Sequence, residues 1–158
     1  MSDRLPMTQS GYEKIQAELK HLKSVERPSI VKEIEIARAH GDLSENAEYH
    51  AAKEKQGHVE GRIAILDDKL ARAQVIDPSG QSSDAVRFGL TVDLEDAGTG
   101  EELTYTILGE EEADAANGTI SISSPIARAL LGKGVGDSVT VSVPKGTREL
   151  EILEIRNS

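Results

Sequence analysis

Two hydrophobic periods divide the chain. From residue 12 to 39 the apolar positions follow a helical period. Ile15, Leu19, Leu22 and Val25 are spaced 4, 3 and 3; after Pro28 come Ile30, Ile34 and Ala37, spaced 4 and 3. Charged residues fill the gaps, so one face of this helix is apolar. Pro28 interrupts it. A proline cannot donate to the i−4 carbonyl, and it biases Arg27 away from helical angles, so a kink or one-turn offset is expected there. The pattern stops at His40-Gly41-Asp42 and restarts near Glu45. It runs on to Ala73, with Val59, Ile63, Leu66, Leu70 and Ala73 spaced 4, 3, 4 and 3, the seam of a heptad. Ala52 and Gln56 continue it weakly. Gly57 and Gly61 lie inside this helix, and each costs it about 1 kcal/mol relative to Ala. Two striped helices with so short a connection must fold back on each other. An antiparallel coiled-coil hairpin is expected, with arms of roughly 28 residues reaching on the order of 40 Å.

From Val75 the period becomes two. Leu90, Val92 and Leu94 alternate with polar residues, as do Leu103, Tyr105 and Ile107; Ile120 and Ile122; Val139, Val141 and Val143; and then Leu150, Ile152 and Ile155. These read as half-buried antiparallel strands. Asp96-Ala97-Gly98-Thr99-Gly100 and Pro144-Lys145-Gly146-Thr147 read as hairpin turns. One short helix interrupts, with Ser124 as cap, Pro125 in the first turn and Gly132 at its close. The fold class expected is α+β: the hairpin over residues 1–77, then a small antiparallel sheet domain with one short helix over 78–158. The boundary falls near Asp77-Pro78-Ser79-Gly80.

Composition sharpens this division. The chain has 158 residues and a net charge of −10. Residues 1–77 hold 12 Lys/Arg and 14 Asp/Glu, whereas residues 78–158 hold 6 and 14, so the net charges are −2 and −8. Such acidity opposes tight binding of free DNA or RNA, because few cations are available to replace the counterions of phosphates. It leaves open a partner that already holds the nucleic acid. Cysteine is absent, which removes disulfides and thiol chemistry. Aromatic residues make up only 3%, so a single large aromatic core is not expected. No apolar run approaches the roughly 18 residues of a membrane span. Residues Met1 to Met7 lack the apolar run of a secretory signal. A soluble cytoplasmic protein is expected.

Candidate chemistry concentrates at the bend of the hairpin, Arg38 to His50. Asp42 and Glu45 are three apart and straddle the start of the second helix. Two carboxylates so placed can share a divalent ion, and Mg²⁺ suits them best because it prefers oxygen ligands and keeps several waters. They can also orient a water for attack on a phosphodiester. The same spacing suits a capping box with Asp42 as cap, and Ser44 competes for that role. Alone, two carboxylates are too few for tight Mg²⁺ binding, so a partner would complete the site. Arg38 and Lys53, a few turns from the bend, can touch phosphates or pair with nearby glutamates. His40, His50 and His58 match no short metal signature. Gly132 to Asp137 precedes a strand and reads as a turn, not a phosphate loop. Glu110-Glu111-Glu112 reads as solvated surface.

The run from Ala39 to Ala52 closely resembles the tip of the bacterial Gre transcript-cleavage factors. Leu22 to Pro28, Phe88-Gly89, Gly109 to Asp114 and Ser124 to Gly132 resemble further stretches of that family, and the resemblance is nearest its GreA type. It implies an FKBP-like C-terminal domain that docks on bacterial RNA polymerase, and a coiled coil that enters the secondary channel. Asp42 and Glu45 would then help hold a Mg²⁺ shared with the polymerase. The factor would stimulate the polymerase's own endonucleolytic cleavage of backtracked transcripts, releasing short 3′ RNA fragments, without being an enzyme itself. Arg38 and Lys53 become candidate RNA contacts. The implied partner is the backtracked elongation complex with its nascent RNA, met by a monomer, with no membrane partner. A secondary-channel regulator without cleavage activity is the alternative. A prolyl isomerase of FKBP type is disfavoured, because residues 78–158 offer only Phe88 and Tyr105 to line an aromatic pocket.

Overall fold

The computed structural model describes residues 3–41 and 46–157. The chain forms two compact units: residues 12–72, and residues 3–11 together with the segment from 73 onward.

The first unit is helical. Helix α1 (Gln9–His21) leads into a π-helical turn (Leu22–Glu26), then α2 (Arg27–Arg38) and α3 (Ala47–Arg72). Arg27 N–H reaches back to the carbonyl of Leu22, five residues earlier. The wider turn is the response to Pro28. A proline ring in a regular helix presses on the i−4 carbonyl and leaves it without a donor, and one extra residue in the preceding turn relieves both. Arg27 itself stays helical, with φ −59° and ψ −51°, so the expected disturbance falls one turn earlier than the proline rule alone indicates. The inserted residue also rotates the apolar stripe. Val25, expected on it, is 51% exposed, whereas Ile15 and Ile30 are buried. On α3, Ala52, Ile63 and Leu66 are buried. Among the described residues, ion pairs join the facing helices with opposed numbering, such as Lys23 with Asp67, Arg27 with Glu60, and Lys55 with Glu33. The facing helices of this unit therefore run in opposite directions. Arg62 and Glu18, 2.8 Å apart, tie α3 to α1.

The second unit is built on a five-stranded sheet of β3 (Thr91–Asp96), β4 (Glu102–Leu108), β5 (Thr119–Ser121), β6 (Ser138–Val143) and β7 (Gly146–Arg156). The spatial order is β5-β4-β3-β7-β6. All neighbours are antiparallel except β5, which runs parallel to β4. This corrects the wholly antiparallel expectation. Residues 109–118 form a connection long enough to bring the chain back beside Thr106, so that β5 runs alongside the last three residues of β4 in the same direction, where a tight hairpin would reverse it. Helix α4 (Pro125–Leu130) is capped as expected: the Ser124 hydroxyl accepts from Ala127 N–H at 3.3 Å. Ala127 and Leu130 of α4 join Val86, Leu90, Leu94, Ile107, Leu150 and Ile152 in the core. On β7 the register slips between Asp93 and Leu94, leaving Leu153 without an opposite residue. That bulge lets Ile152 and Ile155, three apart, both face the core.

The unit also contains elements the sequence pattern did not announce. β1 (Leu5–Met7) pairs parallel with β2 (Ala73–Val75). Glu112 fastens the N-terminal segment: its carboxylate accepts from Thr8 N–H (3.2 Å), from the Thr8 hydroxyl and from Gly109 N–H (3.1 Å). Glu112 is thus a fastening contact and not the solvated surface expected of the acidic run. Gly132 to Asp137 is a turn, as expected, with Gly134 N–H donating to the Asp137 carboxylate at 2.8 Å. Among the described residues, no helix is long and apolar enough to cross a membrane.

Candidate functional site

The candidate site lies where α2 ends and α3 begins. Arg38 sits exposed in the last turn of α2. The helix then tightens: His40 N–H donates to the Ala37 carbonyl at 3.1 Å and Gly41 N–H to the Arg38 carbonyl at 3.4 Å. Gly41 takes φ +106°, a region that an L side chain rarely adopts, so glycine ends the helix here at little cost. Asp42 and Glu45, the two carboxylates singled out above, lie outside the described residues, as does Ser44.

The description resumes at Asn46, and this residue carries information that sequence reasoning missed. Its side-chain oxygen accepts from Tyr49 N–H at 3.0 Å, the geometry of an N-cap. Its side-chain nitrogen donates to the Ala37 carbonyl at 2.5 Å. Asn46 is therefore a side-chain cap of α3, a role that the spacing had offered to Asp42 or Ser44. The signal was available: Asn is among the best capping residues, and it directly precedes the helical run. A second contact crosses the bend, His40 Nδ1 to Glu48 Oε2 at 3.2 Å. The rings of Tyr49 and His50 meet edge to face with centroids 5.6 Å apart.

Lys53 lies one turn further along α3, exposed, and donates to Gln56 Oε1 at 2.9 Å. The histidines are not brought together: His58 faces Glu54 on its own helix at 3.7 Å, whereas His40 faces Glu48. Among the described residues, no group of three or more His, Asp or Glu side chains could hold a metal ion.

Charge perturbation in the second unit serves structure. Arg156 beside Asp93 holds its carboxyl below the usual carboxylate range, aided by the Thr104 hydroxyl. Arg148 does the same to Asp96, aided by Gly98 N–H. These pairs brace neighbouring strands and the β3–β4 turn. The groove between the β3–β4 and β6–β7 turns is lined by residues such as Glu101, Pro144, Lys145 and Arg148, with no aromatic side chain. It does not supply the aromatic-lined pocket that prolyl isomerisation of the FKBP type would need.

Comparison with known proteins covers both halves of the chain. Residues 5–75 match the family described as transcription elongation factor, N-terminal, and residues 81–157 match transcription elongation factor, GreA/GreB, C-term. The transcription elongation factor GreA of Hyphomonas neptunium is 60% identical, over 97% of this chain and 98% of that protein. GreA of Anaeromyxobacter sp. is 59% identical, over 96% of this chain and 92% of that protein. Among solved structures, GreA factor homolog 1 of Thermus thermophilus is 30% identical with a TM-score of 0.45, covering 97% of this chain and 99% of that one.

Proposed function

The chain belongs to the GreA/GreB family of transcription elongation factors, and from that premise we propose how its own residues act. It is a GreA-type factor that binds bacterial RNA polymerase and stimulates the polymerase's intrinsic cleavage of backtracked transcripts; it is not itself an enzyme. The observation that carries this reading is 55–60% identity to GreA proteins across nearly the whole chain. The same identity favours cleavage over the alternative of a channel-binding regulator without cleavage activity.

In the reading proposed, the helices within residues 1–77 form an antiparallel coiled-coil hairpin that enters the secondary channel. Residues 78–158 are an FKBP-like domain that docks at its rim. Asp42 and Glu45 fall in the span bracketed by Gly41 and Asn46, between two helix ends. Carboxylate oxygens are the donors that Mg²⁺ prefers, and two of them suit a site completed by a partner. Mg²⁺ held jointly with the polymerase supplies charge stabilisation and lowers the pKa of an attacking water. The factor's contribution is positioning: Asp42 and Glu45 bring negative oxygens to a centre that already holds the RNA. Arg38 and Lys53 offer exposed cations to the phosphates of the extruded 3′ segment. The factor acts as a cytoplasmic monomer and needs no tight hold on free nucleic acid, consistent with its net charge of −10.

The test is RNA release from a defined backtracked complex. Asp42→Asn is expected to keep most polymerase affinity while losing stimulation by at least about ten-fold, the order seen when a metal's supporting groups are removed. Equal stimulation by the variant would return Asp42 to a purely structural role.

A further inference from the structure

We propose that Asn117 is a self-deamidation site that Asp114 and the turn around it hold in check, and that its product keeps this turn from closing again. Asn117-Gly118 is the one Asn-Gly pair in the chain; Asn46 precedes Ala and Asn157 precedes Ser. The fold itself requires the glycine. Residues Ala115–Asn117 make a single 3₁₀ turn, and Gly118 closes it at φ +76°, a region that side chains avoid. A glycine has no Cβ beside its amide, so its nitrogen can approach a neighbouring side chain closely. In the reaction the Gly118 nitrogen gives up its proton and bonds to Cγ of Asn117. The Cγ–Nδ2 bond breaks, and ammonia leaves with that proton. The ring so formed is a succinimide. Water then opens one or the other of its two carbonyl–nitrogen bonds, leaving aspartate or isoaspartate at position 117. Water is the sole co-reactant, and no atom changes oxidation state.

Both reacting groups are engaged in the folded turn. The leaving nitrogen of Asn117 donates to Asp114 Oδ2 at 2.7 Å, which draws the side chain toward Asp114. The attacking nitrogen is occupied too, with Gly118 N–H donating to the Ala115 carbonyl at 3.2 Å. Asp114 is itself fixed: its Oδ1 accepts from Ala116 N–H at 3.1 Å, and its own N–H donates to the Thr119 hydroxyl at 2.6 Å. Asn117 is nevertheless exposed, so water can reach the ring once it forms. The product does not fit where Asn117 stood. A carboxylate has no proton to give Asp114 Oδ2, and it sets a second negative charge against the first. Isoaspartate also adds one carbon to the main chain just before Gly118. The Gly118 carbonyl accepts from Thr106 N–H at 3.0 Å, at the start of the parallel pairing of β4 with β5. The closed turn thus opposes the reaction, and the product opposes the closed turn.

The test follows deamidation of the full-length protein in mildly alkaline buffer, read by peptide mass and by labelling with an isoaspartyl methyltransferase. Conversion is expected at Asn117, while Asn46 and Asn157 stay amides over the same interval. The folded chain should convert at least about ten-fold more slowly than the urea-unfolded chain, the order of one hydrogen bond to a charged acceptor. Asp114→Ser keeps a cap for Ala116 N–H and loses the hold on Asn117, so the folded rate should rise about ten-fold. Asn117→Asp carries the charge of the product without its altered main chain. It should speed amide exchange at Thr106 several-fold while Val92 and Leu94 keep their parent protection. No conversion at Asn117 in the unfolded chain refutes the site. A folded chain that converts as fast as the unfolded one refutes the hold. An Asp114→Ser chain with the parent rate refutes the part given to Asp114, and so does a faster rate matched by lost protection at Val92 and Leu94, which is global unfolding. Unchanged exchange at Thr106 in Asn117→Asp refutes the claim that the product keeps the turn open.

Discussion

Gly11 and Glu112 form a pair whose interdependence can be worked out from the structure. Gly11 lies in the first turn of α1, in a backbone conformation open to any residue. Ala there should add up to about 1 kcal/mol of helix propensity. A methyl group on Gly11 would, however, stand 2.5 Å from Glu112 Cγ and 2.6 Å from its Oε1. The Glu112 side chain cannot yield freely, because its carboxylate holds Thr8 N–H, the Thr8 hydroxyl and Gly109 N–H. Hydrogen bonds to a charged group contribute about 1.5–3 kcal/mol each when buried, and less where water can replace them. Glu112→Ala should therefore destabilise the sheet unit by about 2–3 kcal/mol. Gly11→Ala must displace the same carboxylate, so its net cost is about 1–2 kcal/mol after the propensity gain. With Glu112 already Ala the clash is gone, and Gly11→Ala should become neutral or stabilising. The double-mutant interaction is then about 2–3 kcal/mol. Native-state amide exchange at Val92 and Leu94 reports the stability of this unit alone. Effects that add to within about 0.5 kcal/mol would refute the account of how the N-terminal segment is fastened.

Two further outcomes follow from other elements. Pro28→Ala should stabilise the helical unit by less than about 1 kcal/mol in thermal melts, because the π turn already relieves the clash; a gain near the full 3 kcal/mol interior proline penalty would show that it does not. Acid should weaken the sheet unit: Asp93 is held below its usual range first by Arg156 and then by Thr104, and Asp96 first by Arg148. A depressed folded-state pKa means that their stabilisation is complete above the unfolded value of about 3.9 and is lost as pH falls through the folded values. Asp93→Asn should therefore flatten the acid limb of a pH–stability curve below about pH 4, and an unchanged limb would contradict the assignment.

Much of the fold was legible because the signals are local. The stripe through Ile15, Leu19, Ile30 and Ala37 and the seam through Ile63 and Leu66 both emerge buried. The alternating runs of β3, β4, β6 and β7 are strands, and Ser124 caps α4. Pro28 was visible as a fault, but its remedy was not. A helix can answer a proline by kinking or by widening, and Val25 shows which happened by turning outward. At the candidate site, Asp42 and Glu45 stand out in the sequence by residue type and spacing, and they lie outside the described residues. Asn46, which ties the helix ends beside them, was passed over because its second partner, Ala37, is nine positions away.

By itself the sequence determined the periods, the turns, the caps and the uneven charge, −2 on one part and −8 on the other. Each depends on neighbours within a few residues, where backbone geometry alone sets which side chains meet. Only the tertiary structure decided what depends on distant partners. β5 lies parallel because of where its connection lands. Leu153 is bulged out so that Ile152 and Ile155 can share the core. Glu112 is held by Thr8, 104 positions away, although its neighbours in an acidic run mark it as surface. A residue's type states which bonds it can make; only the folded chain brings the partner within 3 Å or so and selects among them.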